Sequence, residues 1–173
     1  AGEALPAGVA VAIVAMASGA GVPDFAGAFA NLADAEFDFV ACPYTDSQAL
    51  TAIKTGWDDA TGRWSWLRQL YGHVFSAKRG SVGQLQTFGV ANNNQHATFI
   101  GVNGSPSPVW QWAAAWTAQV AVSLRIDPAR PLQTLPLVGI LPAPLASRFL
   151  VSEKQTLLFA GIATHYVGND NTV

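Results

Sequence analysis

Gly19-Ala20-Gly21 follows the apolar run Val9-Ala10-Val11-Ala12-Ile13-Val14-Ala15, and the residues after it read as the start of a helix. A strand, a glycine turn and a helix make up a dinucleotide-binding turn, in which exposed amides receive a pyrophosphate. The third glycine of that fingerprint is missing, and Asp24 stands in its place. A carboxylate there would repel the phosphates, whereas it suits a helix cap or first-turn acid. The ribose-binding acid belongs near the end of the second strand, but Glu36 and Asp38 come at its start. The glycines are expected to make a turn and nothing more.

Nucleophilic chemistry is no better supported. Arg79-Gly80-Ser81-Val82-Gly83 misses the G-x-S-x-G elbow at its first position, and Ser81 fits a capping box with Gln84. Cys42, the single cysteine, ends an apolar strand before Pro43, where a thiol acts as a small hydrophobe. It excludes an internal disulfide. His73, His96 and His165 lie at or within strand candidates, with no H-x-x-x-H or C-x-x-C spacing to hold a metal. Asp58-Asp59 is expected to be a solvated pair in a helix-ending turn. The tryptophans Trp57, Trp64 and Trp66, and Trp110, Trp112 and Trp116, lack basic neighbours and read as core and interface anchors. No cofactor, metal or catalytic residue is assigned.

The elements that would position these residues alternate. Strand-like runs occur at Val9–Ala17, Phe37–Cys42, His73–Ala77, His96–Val102 and Ile162–Val167. Helix starts are read at the capping boxes Thr45–Gln48, Ser81–Gln84 and Ser152–Gln155, and at Ser107-Pro108, with proline at the first helical position. Alternation of this kind predicts an α/β fold with a largely parallel sheet flanked by helices. DPARPLQTLPLVGILPAPL, residues 127–145, holds five prolines and reads as an extended segment crossing the domain.

At 173 residues the chain is read as a single α/β domain, 1–173. Half its residues are apolar and only 12% are charged, against roughly 25% in an ordinary soluble domain. Its nine Lys/Arg and eleven Asp/Glu would cover only about a quarter of the roughly 8,000 Å² exposed by a folded monomer of this mass. Such neutral faces suit a molecule that meets other subunits. Scattered basic residues exclude a nucleic-acid footprint. The longest apolar helix candidate, residues 109–124, is too short to span a bilayer and contains Gln111, Thr117 and Gln119. An opening without methionine and a close at NDNTV suggest a piece of a longer protein.

GRWSWLRQLYGHVFSAKRG (62–80) and SLRIDPARPLQTLPLVGILPAP (123–144) closely resemble the tail sheath proteins of contractile-tailed bacteriophages, particularly the Mu-like branch. FDFVACPYTD and LLFAGIAT support the likeness, which runs across nearly the whole chain. The resemblance implies a non-enzymatic virion protein of the phage tail, assembled in the host cytoplasm. Its partners would be other sheath subunits, in six-membered rings stacked helically, the tail tube protein and the baseplate. Contraction would drive the tube through the host envelope. A sheath subunit of a bacteriocin or secretion device is the near alternative, and an α/β nucleotide-binding enzyme or hydrolase the distant one. The sheath core is often labelled subtilisin-like, but Gly72-His73-Val74-Phe75 has no matching serine motif beside it. That label therefore describes fold alone. Within the proline motif Asp127, Pro128, Arg130, Pro131, Leu132 and Gln133 are expected to form a structural unit, with Asp127 and Arg130 paired to fix the bend.

Overall fold

The computed structural model describes residues 21–173; the strand expected at Val9–Ala17 and the turn residue Gly19 lie outside them. The described residues form a four-stranded sheet in the order β1 (Phe39–Ala41), β2 (His73–Arg79), β3 (Ala97–Val102), β4 (Ile162–Ala163). Every pairing is parallel, with Phe39 opposite His73, Val74 opposite Ala97 and Phe99 opposite Ile162. The α/β expectation holds. The five helices are α1 (Ala26–Leu32), α2 (Ser47–Gly56), α3 (Val82–Ala91), α4 (Val109–Ile126) and α5 (Val151–Phe159).

Alternation along the strands sorts the core into two layers. Phe75 and Ala77 of β2, with Ile100 and Val102 of β3, face α4. That helix answers with Trp112, Ala113, Trp116 and Val120, a stripe at spacings of three and four. The Trp116 ring meets the Phe75 ring edge-on at 5.2 Å. On the other face Val74 packs with Cys42, Ile53 and Trp57 near α2. Phe99 and Ile162 pack there with Leu85 of α3 and Leu157 of α5. Burial on both faces is what a parallel sheet requires.

The chain must therefore change faces between β3 and β4. Residues 127–150 make that passage as an irregular strap, with only a short 3₁₀ turn at Leu145–Ser147. Leu135, Leu137 and Ile140 pack on the α4 side. The strap then crosses the sheet beside Asn103, whose amide donates to the Ser147 carbonyl at 3.1 Å. Gly104 sits there at φ 65°, with Ser147 occupying the space that a side chain would need.

Several helix starts differ from the sequence reading. Asp46, not Thr45, caps α2 by accepting the Ala49 amide at 2.8 Å, and Thr45 instead accepts from Lys78. A carboxylate outcompetes the neighbouring hydroxyl for the free amide. The Ser81–Gln84 box is formed, with Gln84 accepting the Ser81 amide at 2.9 Å. The last box is displaced: α5 starts after Leu150, whose amide is held by Glu153 at 2.7 Å, so Ser152 lies inside the helix. Pro108 is the cap residue of α4 rather than its first helical residue, because the Ser107 hydroxyl is committed elsewhere. β4 ends at Ala163 instead of Val167, and beyond it the His165 ring packs against Trp112 and Phe149.

Two glycines of α3 test the packing. A Cβ at Gly89 would lie 2.2 Å from the Ala160 carbonyl oxygen, whereas one at Gly83 meets nothing within 4 Å. Gly89→Ala should lower stability by about 1–3 kcal/mol through overpacking, and Gly83→Ala should raise it by up to about 1 kcal/mol. Thermal unfolding of the two variants checks the contrast.

Candidate functional site

The reactive side chains are dispersed into structural tasks. Asp24 accepts the Ala26 amide at 2.9 Å at the start of α1, a helix of 7 residues. Sequential strand order leaves no reversal point among the described strands, and it is at such a point that open parallel sheets bind nucleotides. The Cys42 thiol is buried, and that burial pushes its pKa up, away from the nucleophilic thiolate.

The three histidines part company. His73 Nε2 bonds Thr98 Oγ1 across the ladder at 2.7 Å, and burial lowers its pKa. His96 Nε2 lies 2.9 Å from Asp59 Oδ1, and its ring stacks on Trp64 at 4.6 Å. This aspartate–histidine pair would orient a general base, but no hydroxyl or thiol bonds to the ring. Asp58, expected to pair with Asp59 in solvent, turns away. Its carboxylate accepts the Thr61 and Ala60 amides, which hold its pKa below the usual range. His165 is pushed down to about 4, chiefly by burial and then by nearby Lys154. No group of three or more His, Cys, Asp or Glu among the described residues converges to hold a metal.

A built polar constellation does occur where the strap meets the start of α4. The buried Ser105 hydroxyl donates to the Leu141 carbonyl at 2.7 Å and accepts from Trp112 Nε1 at 3.0 Å and the Ser107 amide at 3.2 Å. That uses its full hydrogen-bonding capacity. Ser107 Oγ accepts the Leu141 amide at 2.9 Å, so both polar groups of Leu141 are held. Gln111 donates to the Gly139 carbonyl at 2.6 Å, and Arg79 to the Ser107 carbonyl at 2.6 Å. Nothing but the pattern Ser105-Pro106-Ser107-Pro108 announces this clamp in the sequence.

The proline motif is placed differently from expectation. Asp127 Oδ1 accepts the Ala129 amide at 3.0 Å, and the bend closes through a bond of 3.1 Å from the Arg130 amide to the Asp127 carbonyl. The ion pairs among the described residues are Arg68–Asp34 and His96–Asp59, so the Asp127–Arg130 pair is not made. Asp127, Pro128, Arg130, Pro131, Leu132 and Gln133 are all exposed.

Of the tryptophans, Trp57, Trp112 and Trp116 are core, while Trp66 and Trp110 stand in solvent. Trp66 rides on a stiffened loop. Buried Arg63 donates to the Ala33 carbonyl at 2.8 Å and also to the Ala35 carbonyl. Trp64 Nε1 donates to the Gly72 carbonyl at 2.8 Å, and Arg68 pairs with Asp34. The large apolar groups left over by the core thus face outward from a rigid frame. Exposed apolar groups on an ordered frame are a feature of binding surfaces.

Comparison with known proteins agrees. Residues 18–173 match the phage tail sheath protein central domain. The Mu-like prophage FluMu tail sheath protein of Haemophilus influenzae is 36% identical over 166 residues, which cover 96% of this chain and 33% of that protein. The chain spans about a third of the length of this curated relative.

Two outcomes follow from the geometry. Ser105→Ala strands the Trp112 indole N–H and the Leu141 carbonyl, so it should cost about 1–3 kcal/mol. Hydrogen exchange should quicken around Leu141 in that variant, while Val138→Ala, an exposed control on the same strap, should leave both readouts unchanged. The second outcome concerns pH. His165 is neutral in the fold at a pKa of about 4, against 6.5 when unperturbed, so the unfolded chain binds the extra proton between those values. Its contribution is complete above pH 6.5 and declines as pH falls toward 4. Chemical denaturation should show a loss of about 2 kcal/mol on going from pH 7.5 to pH 5.0. His165→Phe, which keeps a ring against Trp112 and Phe149, should remove that part of the slope.

Proposed function

Because the chain belongs to the phage tail sheath protein family, matched through that family's central domain, we propose that it is the body of a contractile sheath subunit. Residues 1–173 form one structural unit of a longer sheath polypeptide. Copies of that polypeptide polymerise as six-membered rings stacked helically around the tail tube, in the host cytoplasm, and end in the virion on a baseplate. The protein is a mechanical part and not an enzyme. The observation that carries this reading is the similarity to a tail sheath protein over almost the whole chain. The exposed apolar side chains support it.

Contraction in this scheme exchanges one set of contacts between subunits for another. The bodies rotate as units, because a sheet buried on both faces resists partial opening. Extended arms outside residues 1–173 tether neighbours by adding strands to one another's sheets, through main-chain hydrogen bonds that survive rotation. Neutral surfaces suit such exchange, since each contact that breaks and re-forms then strands little unpaired charge.

Electron microscopy of the full polypeptide as its genome encodes it tests the reading. Helical tubes of uniform diameter are expected. Dispersed single particles at every concentration and salt condition would overturn it.

A further inference from the structure

Most charged side chains of the described residues are committed within the chain. Asp24, Asp46, Asp58, Asp127, Glu153 and Asp170 hold backbone amides. Asp34 and Asp59 sit in ion pairs. Among the described residues that leaves two carboxylates with no partner, Glu36 and Asp38, both exposed and on either side of exposed Phe37. Arg63 and Arg68 tie the adjoining loop to Ala33, Asp34 and Ala35. The same loop carries Trp66 and Leu67, 75% and 72% exposed. Exposed Phe37, Trp66 and Leu67, with Glu36 and Asp38, therefore lie on two segments that Arg63 and Arg68 tie together.

The opposite combination stands at the end of α4. Arg125 and Arg130 are exposed and make no side-chain bond within the described residues, and exposed Val122, Ile126 and Leu132 neighbour them in sequence. Ile126 is 76% exposed. No carboxylate of the first patch pairs with a guanidinium of the second inside one chain. We infer that these two surfaces meet between copies: Phe37, Trp66 and Leu67 of one subunit dock on the Val122–Ile126–Leu132 surface of the next, with Glu36 and Asp38 facing Arg125 and Arg130. This deepens the sheath reading and rests on it.

Charge complementarity selects a second copy as the occupant, since each patch lacks what the other carries. Area points the same way. The side chains of Phe37, Trp66 and Leu67 offer about 400 Å², roughly half of the ~800 Å² that each partner gives to a stable pairwise interface. One such contact is weak alone. Repeated at every subunit of a polymer, it holds by multivalency and still lets go when subunits rotate. Pairing two different patches is heterologous, which generates rings or helices instead of closed dimers.

The test uses the full polypeptide, with assembly read by sedimentation and electron microscopy. Glu36→Lys with Asp38→Lys, and separately Arg125→Glu with Arg130→Glu, should each lower the assembled fraction about tenfold or more. All four changes together should restore it. Circular dichroism melts, expected to match the unaltered protein because these residues are exposed, separate misfolding from lost contact. Unchanged assembly in either reversed pair overturns the proposal, and so does failure of the fourfold variant to recover while folded. If the unaltered protein never assembles, the sheath reading itself falls, and this contact with it.

Discussion

A parallel sheet covered on both faces forces its chain to travel from one face to the other, and here that journey falls to the least regular segment. The strap between α4 and α5 is rich in proline, so it has few amides and no ladder to join. Its carbonyls still need donors where they are buried. Side chains supply them one at a time: Ser105 at Leu141, Gln111 at Gly139, Asn103 at Ser147, and Arg148 at Ala143, while Ser107 accepts the Leu141 amide. Remove those partners and the strap is left with the packing of Leu135, Leu137 and Ile140 on one face and Phe149 on the other, and with the bond from the Leu137 amide to the Val173 carbonyl. The placement of α5, and so of β4, depends on this crossing.

Strand and helix alternation is legible in the residues because it rests on local chemistry. β3 is rich in aromatic and β-branched side chains, and α4 repeats apolar residues at helical spacing. Both survive any tertiary context that offers them a face to bury. Caps are less legible, since Thr45, Asp46 and Ser47 all qualify by residue type, and the stronger acceptor at Asp46 and the approach of Lys78 to Thr45 separate them. The Ser105–Leu141 clamp could not be read at all: it joins residues far apart in sequence through a loop with no periodicity. Ser107 shows the difficulty best, because a serine before proline is a good helix cap until a distant amide claims its hydroxyl.

The same division governs the ionisable groups. Asp58 and Asp59 are adjacent and chemically identical, yet one caps a turn and the other holds His96. Spacing alone cannot express that, because side-chain direction is set by where the loop is going. The pairing expected between Asp127 and Arg130 fails for a related reason. An aspartate that ends a helix reaches the amide two residues on at less entropic cost than a long arginine side chain. The guanidinium of Arg130 is left to solvent.

Leaving charge unpaired at a surface costs little, whereas leaving it unpaired in a buried contact costs a great deal. A chain with so few charged residues keeps Glu36, Asp38, Arg125 and Arg130, like Lys54, out of the internal network of its described residues, so these groups are free for contacts outside it. Much of the rest of its surface is neutral, and neutral faces bind without choosing. In the proposed assembly, orientation between subunits comes from the few charges that remain free. An assembly that changes arrangement without unfolding its parts needs that separation: a core held by buried apolar packing, and contacts held by groups the core never uses.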